Sequence, residues 1–188
     1  MIVRPLKLDG TFEVELSPKR DARGHFMRGF DAAIWEAHGL PATFVQENEA
    51  YTKARHTLRG LHFQRPPHAE TKIVRCTAGA VYDVFVDLRA GSPTYGQWDG
   101  HVLNAAAAPR WLVIPKGFAH GYCTLTDDTV FAYKVDAAYA PDFEGGLAWD
   151  DPALGIPWPA REPLVSPRDA GHPRLAGFAT PFVSGIAW

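Results

Sequence analysis

Two histidines stand where chemistry could use them. His62 lies in Leu58-Arg-Gly-Leu-His-Phe-Gln64, a strand-like run with Arg59 three residues before it. His120 lies in Ile114-Pro-Lys-Gly-Phe-Ala-His-Gly-Tyr122, a glycine-flanked turn leading into a strand. An imidazole titrates near neutral pH, so a histidine oriented by a carboxylate can serve as a general base. Either histidine alone reads as readily as a structural residue. What adds weight is the company of Lys72, Tyr133 and several acids that a barrel would gather round one space.

Other chemistries find less support. A cupin metal site takes a His-x-His pair and a carboxylate, but His62 is followed by Phe63 and Gln64, and His68 with Glu70 is an irregular substitute. No metal is therefore expected. The Gly-x-Ser-x-Gly elbow, the phosphate loop and the dinucleotide fingerprint are all missing. A bound phosphate must then be gripped by side chains, and Arg23, Arg28 and Arg59 have the bidentate geometry for it.

The elements that must position these residues are short and mostly extended. Apolar alternation predicts strands over Phe12–Leu16, Thr43–Tyr51, Thr57–Gln64, Lys72–Cys76, Ala80–Leu88, Trp98–Leu103, Arg110–Ile114, Gly121–Leu125 and Val130–Val135. Turn signals separate them, among them Pro66-Pro67, Ala108-Pro109 and Thr126-Asp-Asp. One helix is expected over Ala32–His38, capped by Asp31 and stopped by Gly39. Many strands spaced by turns indicate an all-β sandwich or small barrel. In Ala80–Leu88, period two puts Asp83, Phe85 and Asp87 on one face, which either lines a polar pocket or meets solvent. Beyond Ala140, proline, glycine and tryptophan replace the alternation, as expected of a proline-stiffened wrap around the core.

Composition narrows the classes. At 188 residues, the chain 1–188 is expected to form a single domain. A formal net charge of −2 lacks the basic footprint of a nucleic-acid binder. Two cysteines, Cys76 and Cys123, cannot build a disulfide scaffold and read as small buried hydrophobes. No run of about 18 apolar residues or signal-peptide core occurs, so a cytoplasmic protein without membrane association is expected.

Taken together, Asp21-Ala-Arg-Gly-His-Phe, Gln46-Glu-Asn, Leu58-Arg-Gly-Leu-His-Phe-Gln, Asp83-Val-Phe-Val-Asp-Leu-Arg, Ile114-Pro-Lys-Gly-Phe-Ala-His-Gly, Tyr139-Ala-Pro, Trp149-Asp-Asp-Pro and Ser166-Pro-Arg-Asp resemble the dTDP-4-dehydrorhamnose 3,5-epimerase family. The resemblance runs in order from about residue 1 to 172. It implies an all-β cupin jelly roll with a few short helices, forming a homodimer to which the segment 1–45 contributes. It also implies cofactor-free epimerisation of a nucleoside-diphosphate sugar bearing a 4-keto group, at C3 and C5. His62 would be the base, Asp169 its orienting partner, Tyr133 the acid on the opposite face, and Lys72 the stabiliser of the enolate. Arg59, Gln46 and Asn48 would hold the diphosphate, with Arg23 reaching over from the other subunit. His120, paired with Asp83, would share the pocket, and Phe26 and Tyr139 would flank the base.

Two departures bear on the substrate. Where thymidine-specific members carry a glutamate that accepts the thymine N3–H, this chain has Arg28, which can only donate. A base that accepts there, such as cytosine, would suit it. The segment Asn48-Glu-Ala-Tyr-Thr52 also lacks the family's usual serines and is one residue longer before Arg-Gly-Leu-His. The tail, residues 172–188 with Phe178, Phe182 and Trp188, either packs at a dimer contact or completes the core. The alternative functions are a mono-epimerase acting at C3 or C5 alone and a non-catalytic sugar-nucleotide-binding cupin.

Overall fold

Two antiparallel sheets packed face to face build the molecule. The computed structural model describes residues 1–107 and 109–185, so Trp188 and Ala108 lie outside the described residues. Six strands form the first sheet: Ile2–Pro5 (β1), Phe12–Glu15 (β2), Gln46–Thr52 (β5), Lys72–Ala78 (β7), Arg110–Ile114 (β10) and Thr129–Val135 (β12), in the order β1-β2-β10-β7-β12-β5. Five form the second: Leu58–Gln64 (β6), Ala80–Asp87 (β8), Trp98–Asn104 (β9), Phe118–Thr124 (β11) and Glu144–Gly146 (β13), in the order β13-β6-β11-β8-β9. Lys19–Asp21 (β3) and Gly24–Phe26 (β4) make a separate hairpin. Consecutive strands repeatedly cross between the sheets, which is the jelly-roll architecture expected of the sequence.

The inner faces close on a core of Val74, Val81, Phe85, Leu112, Phe118, Tyr122 and Phe131, supplied by both sheets at every second position. Each outer face has its own cover. The helix Ala32–Ala37 (α1) seals the six-stranded sheet: Asp31 caps it by accepting from the Ile34 amide, and Trp35 packs with Val14, Ile73 and Trp111. The C-terminal segment seals the five-stranded sheet, laying Leu147, Leu154, Trp158 and Phe182 on Leu61, Phe63, Val84 and Val86. Phe182 is fully buried and meets Phe63 edge-to-face at 5.4 Å.

With both faces of β8 covered, the question left by its alternation is settled. Asp83 and Asp87 are both fully buried, on the inner face beside Phe85. Asp87 is neutralised by Arg89 at 2.8 Å and accepts from Ser92 and Thr94; burial alone would raise its carboxyl, but these bonds hold it low.

Three sequence expectations need correction. The strand expected from Thr43 starts at Gln46, because Val45 is the last residue before the β12 ladder begins at Gln46↔Val135. The strand expected from Gly121 starts at Phe118, so His120 lies inside β11 rather than in a turn; it pairs with Phe85 of β8 and His62 of β6. Strands β1, β3, β4 and β13 and a short second helix, Pro167–Ala170 (α2), gave no apolar period to read.

Candidate active site

Between the sheets, at the end where α2 docks, a cavity of about 560 Å³ opens to solvent. Its walls include Arg59 and His62 of β6, Lys72 of β7, His120 and Tyr122 of β11, Phe131 and Tyr133 of β12, and Asp169 of α2. Lys72 continues the inward parity of Val74, and Tyr133 that of Phe131, so an unbroken ladder suffices to aim both side chains.

Arg59 and His62 need more than a ladder, because residues three apart on a regular strand face opposite ways. The register of β6 against β11 slips between the pairs His62↔His120 and Arg59↔Tyr122. The slip is made at Gly60, whose φ is +131° and whose added Cβ would lie 2.5 Å from the Gly121 Cα. Both side chains then enter the cavity. The Gly60 amide, turned away from the ladder, donates instead to Asp169 Oδ2 at 3.0 Å.

The other Asp169 oxygen, Oδ1, is 2.8 Å from His62 Nε2. The aspartate is 5% exposed, and Ser166 caps α2 by accepting from its amide. Burial would raise this carboxyl, but the bonds from His62 and Gly60 outweigh it and hold it down at about 2. A carboxylate so fixed holds a proton on Nε2 and leaves Nδ1 of His62 as the open, basic nitrogen. Tyr133 is shifted the other way: burial, then the nearby charges of Glu70 and Glu144, raise its phenol, so at neutral pH it carries a proton to give. His120 forms a second, more deeply buried pair with Asp83, Nε2 to Oδ2 at 2.8 Å.

Glu70, weighed in the sequence only as a metal ligand, and two residues that the sequence did not single out, Glu144 and His172, complete the surroundings. Glu70 Oε1 sits 3.1 Å from Lys72 Nζ, both side chains nearly buried, and its Oε2 accepts from Gln64. Glu144 takes Arg168 at 2.6 Å and the Tyr139 hydroxyl at 2.9 Å. His172 packs edge-to-face on His62, and burial, then the His62 charge, lowers its pKa. Period two could have found Glu70, two residues before Lys72; nothing in the sequence marks Glu144 or His172.

The remaining expected residues stand outside the cavity walls of the single chain. Gln46 and Asn48 share the β5 face of Ala50, which does line the cavity, and Gln46 Oε1 accepts from the Tyr139 amide at 2.7 Å. Arg23 and Phe26 lie on the exposed β3–β4 hairpin, where Arg23 pairs with Asp21 at 2.6 Å. Arg28 is bound to Asp31, the α1 cap, at 2.7 Å.

The cavity thus holds groups able to take a proton and to give one, in a jelly roll of the cupin type. The family model for dTDP-4-dehydrorhamnose 3,5-epimerase matches residues 5–177. The chain is 46% identical over 164 residues to the dTDP-4-dehydrorhamnose 3,5-epimerase of Salmonella typhimurium, covering 85% of this chain and 88% of that protein. It superposes on the Legionella pneumophila enzyme in complex with dTDP-4-keto-L-rhamnose with a TM-score of 0.91, at 36% identity and 99% coverage of both chains. The Bacillus anthracis enzyme with TDP and pyrophosphate bound gives a TM-score of 0.88 at 41% identity, covering 93% of this chain and 100% of that one. The chain belongs to the dTDP-4-dehydrorhamnose 3,5-epimerase family. It is an isomerase, an epimerase of nucleotide-linked 4-keto-6-deoxy sugars.

Proposed function

We propose that this chain inverts C3 and C5 of a nucleoside-diphosphate 4-keto-6-deoxyhexose, with His62 as base and Tyr133 as acid. The observation that carries the assignment is the His62–Asp169 pair in one cavity with Tyr133 and Lys72. The 4-keto group acidifies the hydrogens on both neighbouring carbons. His62 Nδ1 takes one of them, and the carboxylate on Nε2 stabilises the resulting imidazolium. The electron pair moves onto the ketone oxygen, where the Lys72 ammonium meets the developing charge. Tyr133 then protonates the same carbon from the other face. Each inversion leaves His62 protonated and Tyr133 deprotonated, and exchange with solvent resets both before the second carbon reacts.

The sugar's diphosphate falls to Arg59, supported by Gln46 and Asn48. Arg23, Phe26 and Arg28 are assigned to the neighbouring copy's site in a homodimer, with Phe26 and Tyr139 flanking the base. Support comes from the hairpin's exposure: Phe26, at 71%, is the most exposed large hydrophobic among the described residues, leaving its ring free for a neighbouring copy. Among the described residues, no helix is long and apolar enough to cross a membrane, and we assign the enzyme to the cytoplasm.

Proton exchange in D2O, followed by NMR on dTDP-4-keto-6-deoxyglucose, tests the chemistry. The wild type should place deuterium at C3 and C5 and yield the epimer. His62→Ala should lose both, by about 10³-fold. Tyr133→Phe should still admit label, while epimer formation falls by about 10²-fold or more. An active His62→Ala variant overturns the assignment. Arg28 supports a second proposal, that the base is read through a donor. In competition among dTDP, CDP, GDP and UDP, CDP should bind better to the wild type than to Arg28→Glu. A clear wild-type preference for dTDP refutes the donor reading.

A further inference from the structure

His172 has no part in the proton transfers described above, yet it lies against the residues that do. Its ring lies over Gly146 of β13, so close that a Cβ there would fall 2.4 Å from ring atoms. The ring meets that of His62 edge-to-face at 5.6 Å. Its Nε2 is buried with no hydrogen-bond partner among the described residues, and lies 3.9 Å from Asp169 Oδ1, the oxygen that already holds His62 Nε2. One ligand atom from each of His62, Asp169 and His172 falls within 4.8 Å of the other two. Two imidazole nitrogens and a carboxylate oxygen are the donor set of zinc and its neighbours. With bonds of about 2.0–2.2 Å, atoms sharing such an ion stand ~3–4 Å apart, so small side-chain rotations close the site.

We propose that His62, Asp169 and His172 form a binding site for a divalent zinc-like cation, and that occupation of this site blocks epimerisation. The ion takes the place now held by the proton between His62 Nε2 and Asp169 Oδ1, with His172 Nε2 as third ligand and the cavity supplying water as the fourth. The block follows from the tautomer. With the Nε2 lone pair on the metal, a neutral His62 ring carries its proton on Nδ1, the nitrogen that must accept one from the sugar. The proton leaves Nε2 and appears on Nδ1; nothing is oxidised or reduced. His172 thus makes the base competent to capture metal, and the enzyme sensitive to free zinc.

The binding half stands on geometry alone, whereas the block rests on His62 being the base, so the two are measured separately. Calorimetric titration of the purified protein with Zn2+ should give one ion per chain, removable with EDTA. His172→Gln should weaken binding at least tenfold, while in EDTA it turns over within about threefold of wild type and then resists added zinc. Nitrogen-15 NMR of the wild type gives a readout that needs no variant: the ring signals of His62 and His172 should shift together on addition of Zn2+. No binding at sub-millimolar zinc overturns the site, as does binding that leaves those two histidines unmoved or is unchanged in His172→Gln. Binding that shifts both histidines yet leaves turnover intact overturns the block. Failure of the base assignment would show separately, as residual activity of His62→Ala in EDTA.

Discussion

Asp169 is the residue that holds His62, the proposed base, and its environment has a measurable effect on stability. Its carboxyl is held at about 2 because the folded protein favours the charged form against burial. A depressed acid stabilises the fold above its unfolded value near 3.8, and that stabilisation is lost as pH falls toward 2. Urea unfolding of the wild type should therefore lose about 2 kcal/mol between pH 5 and pH 2 that Asp169→Asn does not lose. Parallel decline of the two proteins would show that the carboxylate contributes no such linkage. His62, Lys72 and Tyr133 were legible in the sequence as kinds of group a proton transfer uses, whereas Asp169 was reached only through the family resemblance. Their partners were less so. Glu70 and Glu144 act on Tyr133 through space; the first is brought there by the pairing of β7 with β12 and the second by the packing of the other sheet, and no local pattern encodes either.

At the scale of elements, a regular ladder is enough to aim Lys72 and Tyr133 into the cavity but not to orient Arg59 against His62. The ladders of β7 and β12 run regularly through the cavity, whereas β6 turns its parity over at Gly60. The bulge also frees the amide that fixes Asp169, so one backbone irregularity serves three site residues. Gly60→Ala would force a Cβ to 2.5 Å from the Gly121 Cα, at a φ that L-residues rarely adopt. We expect a loss of about 3 kcal/mol or more in urea unfolding, and an exchange rate in D2O lowered with it. Stability within ~0.5 kcal/mol of wild type would mean that the slip does not depend on glycine. The strands of the two large sheets were readable where one face packs inward. Strands β1, β3 and β4 were not, because they bury almost nothing: all six residues of the hairpin are exposed, and hydrophobic period has nothing to report. The short α2 carries its signal at its cap, Ser166 followed by Pro167, rather than in a period.

At the scale of the whole molecule, the unresolved economy is that of the hairpin. An extended pair of strands with an exposed Phe26, and with Arg23 90% exposed at its side chain, buries too little to be explained by its own chain. In a symmetric dimer, the same hairpin of each copy can serve the other's cavity, where Arg59 alone of the expected diphosphate-binding arginines forms part of the wall. The arrangement has a consequence that exchange of subunits exposes. Suppose a dimer pairs a His62→Ala chain with an Arg23→Ala chain. One of its two sites then lacks both groups, while the other has the base of one chain and the arginine of its partner, both intact. An equimolar mixture of the two inactive variants, co-expressed so that subunits assort at random, should therefore regain about a quarter of the wild-type rate, since half the dimers are mixed and each has one complete site. If Arg23 served its own chain's cavity, every site in the mixture would lack one group or the other, and no activity would return. Recovery without a detectable dimer by light scattering would be equally fatal, because only a shared site can be repaired by mixing.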